Sequence, residues 1–143
     1  MFKKILVGFD GSPGSQNALS VALQMAQQGP RALWCLAVEE KLPVYASTVG
    51  EVEEEKDRAN HYFQGLFKGV KEKAQAMGVG LETQIRPGHP ARTIVDFAEE
   101  GGFDLIIMGH SGSSGVWGGF LGTTTEKVTR HAHCSVLVVR VVR

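Results

Sequence analysis

The residues of this chain best suited to chemistry are the glycines between an apolar run and a helix. The sequence has Gly109-His110-Ser111-Gly112 and, after nine further residues, Gly122-Thr123. Residues 105–108 predict a buried parallel strand, and residues 124–131 predict a helix. Glycine lets backbone N–H groups approach an anion, and a helix N-terminus adds unsatisfied donors and a favourable dipole. The segment therefore predicts a phosphate site at the carboxyl edge of a sheet.

Other glycine motifs fit the segment less well. A Walker loop requires Gly-Lys-Ser/Thr, and neither that ending nor G-x-G-x-x-G occurs in the chain. The nucleophile elbow G-x-S-x-G fails at Ser113, where the motif requires glycine. A structural interpretation, in which the glycines are only a flexible connection, remains open.

The rest of the chain alternates strand-like and helical patterns. An apolar run ends at Asp10, and Gly11-Ser12-Pro13 then supplies turn and helix-start signals. Gly65 and Gly69 interrupt a long helical pattern, at a cost of about 1 kcal/mol each relative to alanine. The predicted later elements are strands at 32–38, 81–86, 105–108 and 135–142 and helices at 52–77, 90–101 and 124–131, with a loop at 39–50 that could act as a lid.

Such alternation predicts an α/β fold with a doubly wound parallel sheet. The 143 residues suit one domain, 1–143, and the strand at 81–86 has the polar face of an edge strand. Ligands of these sheets bind outside the carboxyl ends of the strands, where the strand order reverses. Asp10 and Gly109 both end strands, so they share one crevice if the first and fourth strands are neighbours.

Composition excludes several classes of partner. Fifteen basic residues balance fifteen acidic ones, so no global field favours nucleic acid or an anionic membrane. No apolar segment approaches the length of a membrane span. Cys35 and Cys134 lack C-x-x-C spacing, which predicts no disulfide framework and a reducing compartment. We expect a cytoplasmic protein.

The histidines offer weaker signals. His131-Ala132-His133-Cys134 crowds three candidate zinc ligands into four residues, and we expect no metal there. His110 lies inside the glycine segment, where it could orient a water molecule, sense pH or be a solvated loop residue.

The spacing Gly109-x-x-Gly112, nine residues and Gly122-Thr123 resembles the nucleotide-binding signature of the universal stress protein family. The resemblance covers nearly the whole chain and includes residues 4–12, 103–109, 126–132 and 136–140. It implies a five-stranded sheet in the order 3-2-1-4-5, the adenine-nucleotide alpha-hydrolase-like fold. It also implies a homodimer and binding of ATP, with AMP or ADP as alternatives.

The resemblance assigns roles to individual residues. Asp10 would contact the adenosine part of the ligand, and the backbone at Val38 would meet adenine at the end of the second strand. Met108 and Gly109 would flank the ribose. Backbone donors and hydroxyls around the phosphates would come from Gly112, Gly122, Thr123 and Thr124.

The sequence departs from the family pattern at two places near the predicted phosphate site, and it has one helix-start motif there. Many relatives have a basic residue where this chain has Ser113, which leaves the preference between ATP and AMP open. The nine residues between Gly112 and Gly122 also contain Trp117-Gly118-Gly119-Phe120, which predicts either a loop that orders on binding or a surface loop. Thr123, with Glu126 three residues later, predicts a helix N-cap with a capping box.

The resemblance implies a dimeric, ATP-binding regulatory module of the stress response, and we expect Mg²⁺ to be held mainly by phosphate oxygens. The loop lacks the lysine of fast NTPases, so any hydrolysis or autophosphorylation would be slow. A slow ATPase or phosphotransferase using His110 or Ser111 is the alternative, and a ligand-free interaction protein is a third.

The apolar strand at 135–142 would be covered by the same strand of a second copy, or by a helix of its own chain. The downstream protein partner is not predicted.

Overall fold

The computed structural model describes residues 1–40, 49–110 and 122–140. Its helices and strands follow one another in the order that the sequence predicts. No helix in these ranges is long and apolar enough to cross a membrane. The elements are β1 (Lys4–Gly8), α1 (Pro13–Gln27), β2 (Ala32–Glu39), α2 (Val49–Ala76), β3 (Glu82–Pro87), α3 (Pro90–Gly101), β4 (Leu105–Gly109), α4 (Thr123–His131) and β5 (Ser135–Val139).

The five strands form one parallel sheet in the order β3-β2-β1-β4-β5. This confirms the doubly wound fold and the order that the resemblance implied. Ile5 pairs with Leu33 on one side and with Leu105 on the other. Because β1 and β4 are neighbours, the segments that follow them leave the sheet side by side at its carboxyl end. β3 lies at one edge of the sheet, as predicted, and β5 lies at the other.

The core has two layers because successive strand residues point to opposite faces of the sheet. Ile5 and Val7 of β1 pack in the layer that contains α1 and α2, whereas Leu6 packs in the layer that contains α3 and α4. All three side chains are fully buried. β1 and its neighbour β4 are therefore covered on both faces, which explains their continuous apolar sequences.

The start of α1 follows the predicted signals. Ser12 is the N-cap, and its hydroxyl oxygen accepts a hydrogen bond from the Ser15 N–H at 3.3 Å. Pro13 occupies the first helical turn, where its missing N–H is not needed.

The predicted capping box at the start of α4 is wrong. The N-cap is Gly122, with φ of 90°, and Thr123 is the first helical residue. The Gly122 carbonyl already accepts the first helical bond, from the Glu126 N–H at 2.9 Å. Glu126 instead accepts a hydrogen bond from Arg130 at 3.0 Å. The helix begins one residue early because glycine readily adopts this positive φ.

α1 and the end of β4 approach each other at backbone distance. A Cβ on Gly109 would overlap the Gly14 carbonyl group, and one on Gly14 would lie 2.7 Å from the His110 carbonyl oxygen. Neither position can therefore hold a side chain without a backbone shift. The contact joins the turn after β1 to the segment after β4.

We expect Gly109→Ala to lower the free energy of unfolding by about 1–3 kcal/mol, the usual cost of overpacking a tight contact. Gly69→Ala is the matched control, because a Cβ there meets nothing within 4 Å. It should raise stability by up to about 1 kcal/mol, since it replaces an exposed helical glycine. Urea unfolding followed by circular dichroism measures both changes, and equal stability of the two variants would contradict the contact.

Candidate functional site

A cavity of about 260 Å³ opens at the carboxyl ends of β1, β2 and β4. It lies where the strand order reverses, because β1 pairs with both β2 and β4. The starts of α1, α3 and α4 complete its walls. This is the position at which doubly wound sheets bind ligands.

One end of the cavity is apolar. Leu36 and Val38 reach it from β2, Ile94 from α3 and Met108 from β4. A Cβ on Gly8 would lie 2.5 Å from Met108 Sδ and 3.2 Å from Ile94 Cδ1, so the floor is closely packed. This surface suits a flat apolar group such as an aromatic base.

Asp10 lies at the rim, in the turn between β1 and α1. Its Oδ1 accepts a hydrogen bond from the Ser12 N–H at 2.9 Å. Burial by itself raises the pKa of the Asp10 carboxyl, but hydrogen bonds from Ser12 and Ser15 outweigh it and hold that pKa below its ordinary value. Asp10 is therefore a carboxylate at neutral pH and can accept hydrogen bonds from ligand hydroxyls.

The other end of the cavity presents the start of α4. Gly122, Thr123, Thr124 and Thr125 line it. Gly122, the N-cap, has no side chain with which to cap the helix, and the N–H groups of the first turn have no acceptor within the helix. These N–H groups and the positive end of the helix dipole make this end suitable for an anion.

Thr125 fixes the position of α4 against the sheet. Its hydroxyl donates to the Gly109 carbonyl oxygen at 3.0 Å, and the residue is 5 % exposed. Thr129 makes a similar bond one turn later, to the Thr125 carbonyl oxygen at 2.7 Å. The first of these bonds sets the start of the helix beside the end of β4.

The structure brings together most of the residues that the sequence singled out. Gly112 lies outside the described residues, as do Ser111, Ser113, Trp117 and the segment 41–48 of the predicted lid. The role of Gly112 at the phosphates stays a prediction, and the alternatives stated for the other residues stay open. The predicted site residues that line the cavity are Asp10, Val38, Met108, Gly109, Gly122, Thr123 and Thr124.

The structure also bears on the two histidine segments that the sequence analysis considered, His110 and residues 131–134. His110 is 5 % exposed, so its interpretation as a solvated loop residue is wrong, and it is not among the described residues that line the cavity. His133 Nε2 lies 3.2 Å from a Glu99 carboxylate oxygen. Within the described ranges, no group of three or more His, Cys, Asp or Glu residues is placed to hold a metal ion.

Sequence reasoning missed several residues of the cavity wall. Leu36 could have been found, because strand alternation puts it on the same face as Val38. Ser15 could have been found as the partner of the Ser12 cap. Ile94, Glu40 and Thr125 carry no local signal, since their places depend on contacts with distant segments.

Comparison with known proteins agrees with this architecture. Residues 1–140 match the universal stress protein family. The chain is 35% identical over 141 residues to universal stress protein MJ0531 of Methanocaldococcus jannaschii, covering 98% of this chain and 83% of that protein.

Two solved structures extend the comparison to the fold. Universal stress protein UspA from Lactobacillus plantarum has a TM-score of 0.84 at 26% identity, over 97% of this chain and 98% of that chain. A universal stress protein solved in complex with cAMP has a TM-score of 0.70 at 26% identity, over 96% of both chains. Because residues 1–140 match the family model and the fold agrees with that of solved relatives, the chain belongs to the universal stress protein family.

Proposed function

We propose that this protein binds ATP, with AMP and ADP as alternative ligands, and acts as a dimeric nucleotide-dependent regulatory module of the stress response in the cytoplasm. One observation carries the proposal. A single cavity joins an apolar wall to the uncapped start of α4. An adenine nucleotide has the same two ends, a flat base and an anionic phosphate chain.

The two ends suggest one orientation of the ligand. Adenine would lie against Leu36, Val38 and Ile94, and the phosphates would face Gly122 and Thr123. Asp10 would accept a hydrogen bond from the ribose. Mg²⁺ would be held mainly by phosphate oxygens, as is usual for this ion.

A related protein and the free thiols support the proposal. The universal stress protein solved with cAMP binds an adenine nucleotide on the same fold. Both cysteines are free thiols, which suits a reducing compartment. We propose binding rather than fast turnover, because the glycine segment lacks the lysine of fast NTPases.

We expect Gly122→Val to weaken ATP binding by roughly 100-fold, because valine at φ of 90° is strained by about 1–3 kcal/mol and moves the first N–H groups of α4. Isothermal titration calorimetry on nucleotide-stripped protein measures the change. Gly78→Val is the matched control, with φ of 70° and no atom within 4 Å of its new Cβ. It should carry similar strain and still bind ATP. Absence of saturable ATP binding in the unaltered protein would contradict the proposal.

Asp10→Asn should weaken ATP binding about 10- to 100-fold, because a hydrogen bond to a charged acceptor contributes about 1.5–3 kcal/mol. Asparagine can still accept the Ser12 N–H, so the turn is kept. The measurement is a calorimetric cycle with ATP and 2′,3′-dideoxy-ATP. If Asp10 binds the ribose hydroxyls, the unaltered protein and the Asp10→Asn variant should bind the dideoxy ligand with the same affinity. Equal losses with both ligands would contradict that contact.

The second part of the proposal is a homodimer through β5. Among the described strands, β5 pairs only with β4, so its outer backbone edge is available. Leu137 is 38% exposed on it. An apolar edge strand tends to pair with another strand. The same strand of a second copy would accept and donate hydrogen bonds along the open backbone edge and would bury the Leu137 side chain.

We expect Leu137→Lys to convert the dimer to a monomer, because it would place a charge within the apolar strand that pairs with the second copy. Sedimentation equilibrium measures the mass. Glu82→Lys on β3 is the control, since it places the same side chain on the opposite edge strand and should leave the dimer intact. A monomeric unaltered protein, or dissociation by the control alone, would show that β5 is not the interface.

A further inference from the structure

The charged groups around the cavity are unusual for a phosphate site. Of the described residues that line it, the two with charged side chains are Asp10 and Glu40, and both are acids. Both are exposed at the rim. A bound anion would therefore meet like charge from this part of the wall.

The phosphate end has little charge to offset these acids. Residues 109–125 contain neither lysine nor arginine. The described part of this segment, residues 109–110 and 122–125, offers N–H groups, threonine hydroxyls and a helix dipole equivalent to about +0.5 of a charge. Such donors can hold one phosphate group in a fixed geometry, but they neutralise little of the charge of a triphosphate.

Backbone contacts fix the place of Glu40. The Gly88 N–H donates to the Glu39 carbonyl oxygen at 2.9 Å, which extends the pairing of β2 with β3 to the last residue before Glu40. The nearby cation of β3 is directed elsewhere, since the Arg86 guanidinium lies 5.5 Å from the centre of the Phe97 ring. Glu40 thus follows an anchored strand end at the mouth of the cavity.

From this arrangement we propose that the cavity selects its ligand by charge. It accepts an adenine nucleoside monophosphate equally well with and without metal and binds the triphosphate more tightly as its Mg²⁺ complex than as the free anion, and Glu40 is a residue that determines this specificity. The inference rests on the proposed nucleotide binding. A phosphate monoester carries about −1.5 to −2 charges near pH 7, and each further phosphate adds charge that faces Asp10 and Glu40. A divalent cation on the phosphate oxygens lowers that charge before the ligand enters.

The test is calorimetry on the full chain with AMP and ATP, each in EDTA and in excess Mg²⁺. We expect AMP affinity to change by less than about threefold between the two buffers, and ATP affinity to rise by at least about tenfold with Mg²⁺. Glu40→Gln should raise ATP affinity in EDTA by about tenfold and AMP affinity by less.

Glu39→Gln is the matched control, because it removes the same charge one residue away, from a side chain that is not among the described cavity lining. It should leave the Mg²⁺ dependence of ATP binding nearly unchanged. An equal gain in both variants would overturn the role of Glu40 and assign the effect to general surface charge.

Two further outcomes separate this inference from the proposed function. ATP that binds as tightly in EDTA as in Mg²⁺ overturns charge selection alone and leaves the proposed nucleotide binding standing. If neither AMP nor ATP binds in either buffer, the proposed function fails and the inference fails with it.

Discussion

The contact between the backbone of Gly14 at the start of α1 and that of Gly109 at the end of β4 is the constraint on which the site depends. It holds the turn that carries Asp10 beside the segment that leads to α4. The Thr125 hydroxyl then fastens α4 to the carbonyl of Gly109. One residue thus organises a strand end, a helix start and a second helix start. Any side chain there would separate elements that must lie together to form a single cavity.

The cavity combines two surfaces that arise from different rules of folding. Its apolar wall follows from strand alternation, which sends Leu36 and Val38 to the same face of β2. Its polar wall follows from the geometry of helices, whose first N–H groups have no partners within the helix. Backbone donors recognise the shape of an anion more than its total charge. With Asp10 and Glu40 at the rim, the charge that a ligand carries becomes a property on which the site can discriminate.

The two edge strands of the sheet differ in how readily they can pair with a strand of another chain. β3 presents the polar and charged residues Glu82 and Arg86 and ends at Pro87, features that discourage pairing with another strand. β5 consists of Ser135 followed by valines and Leu137, with no charge within the strand. The sheet therefore protects one edge by its side chains and leaves the other suited to a second chain. The cavity opens at the carboxyl end of the central strands, away from both edges.

Local patterns in the sequence determined the class of the fold, the order of its elements and the importance of Gly109 and Gly122, because periodicity and glycine placement are properties of short segments. The strand order came from the family resemblance, and most of the predicted site residues lie in one cavity. The cap at Gly122 in place of Thr123 is a local feature, since it depends on the positive φ that glycine adopts. Only the tertiary structure decided that His110 is buried. It alone brought Thr125, Ile94 and Glu40 to the same place. These features depend on contacts between residues far apart in the chain, such as Gly14 with Gly109, and no local pattern encodes such a contact.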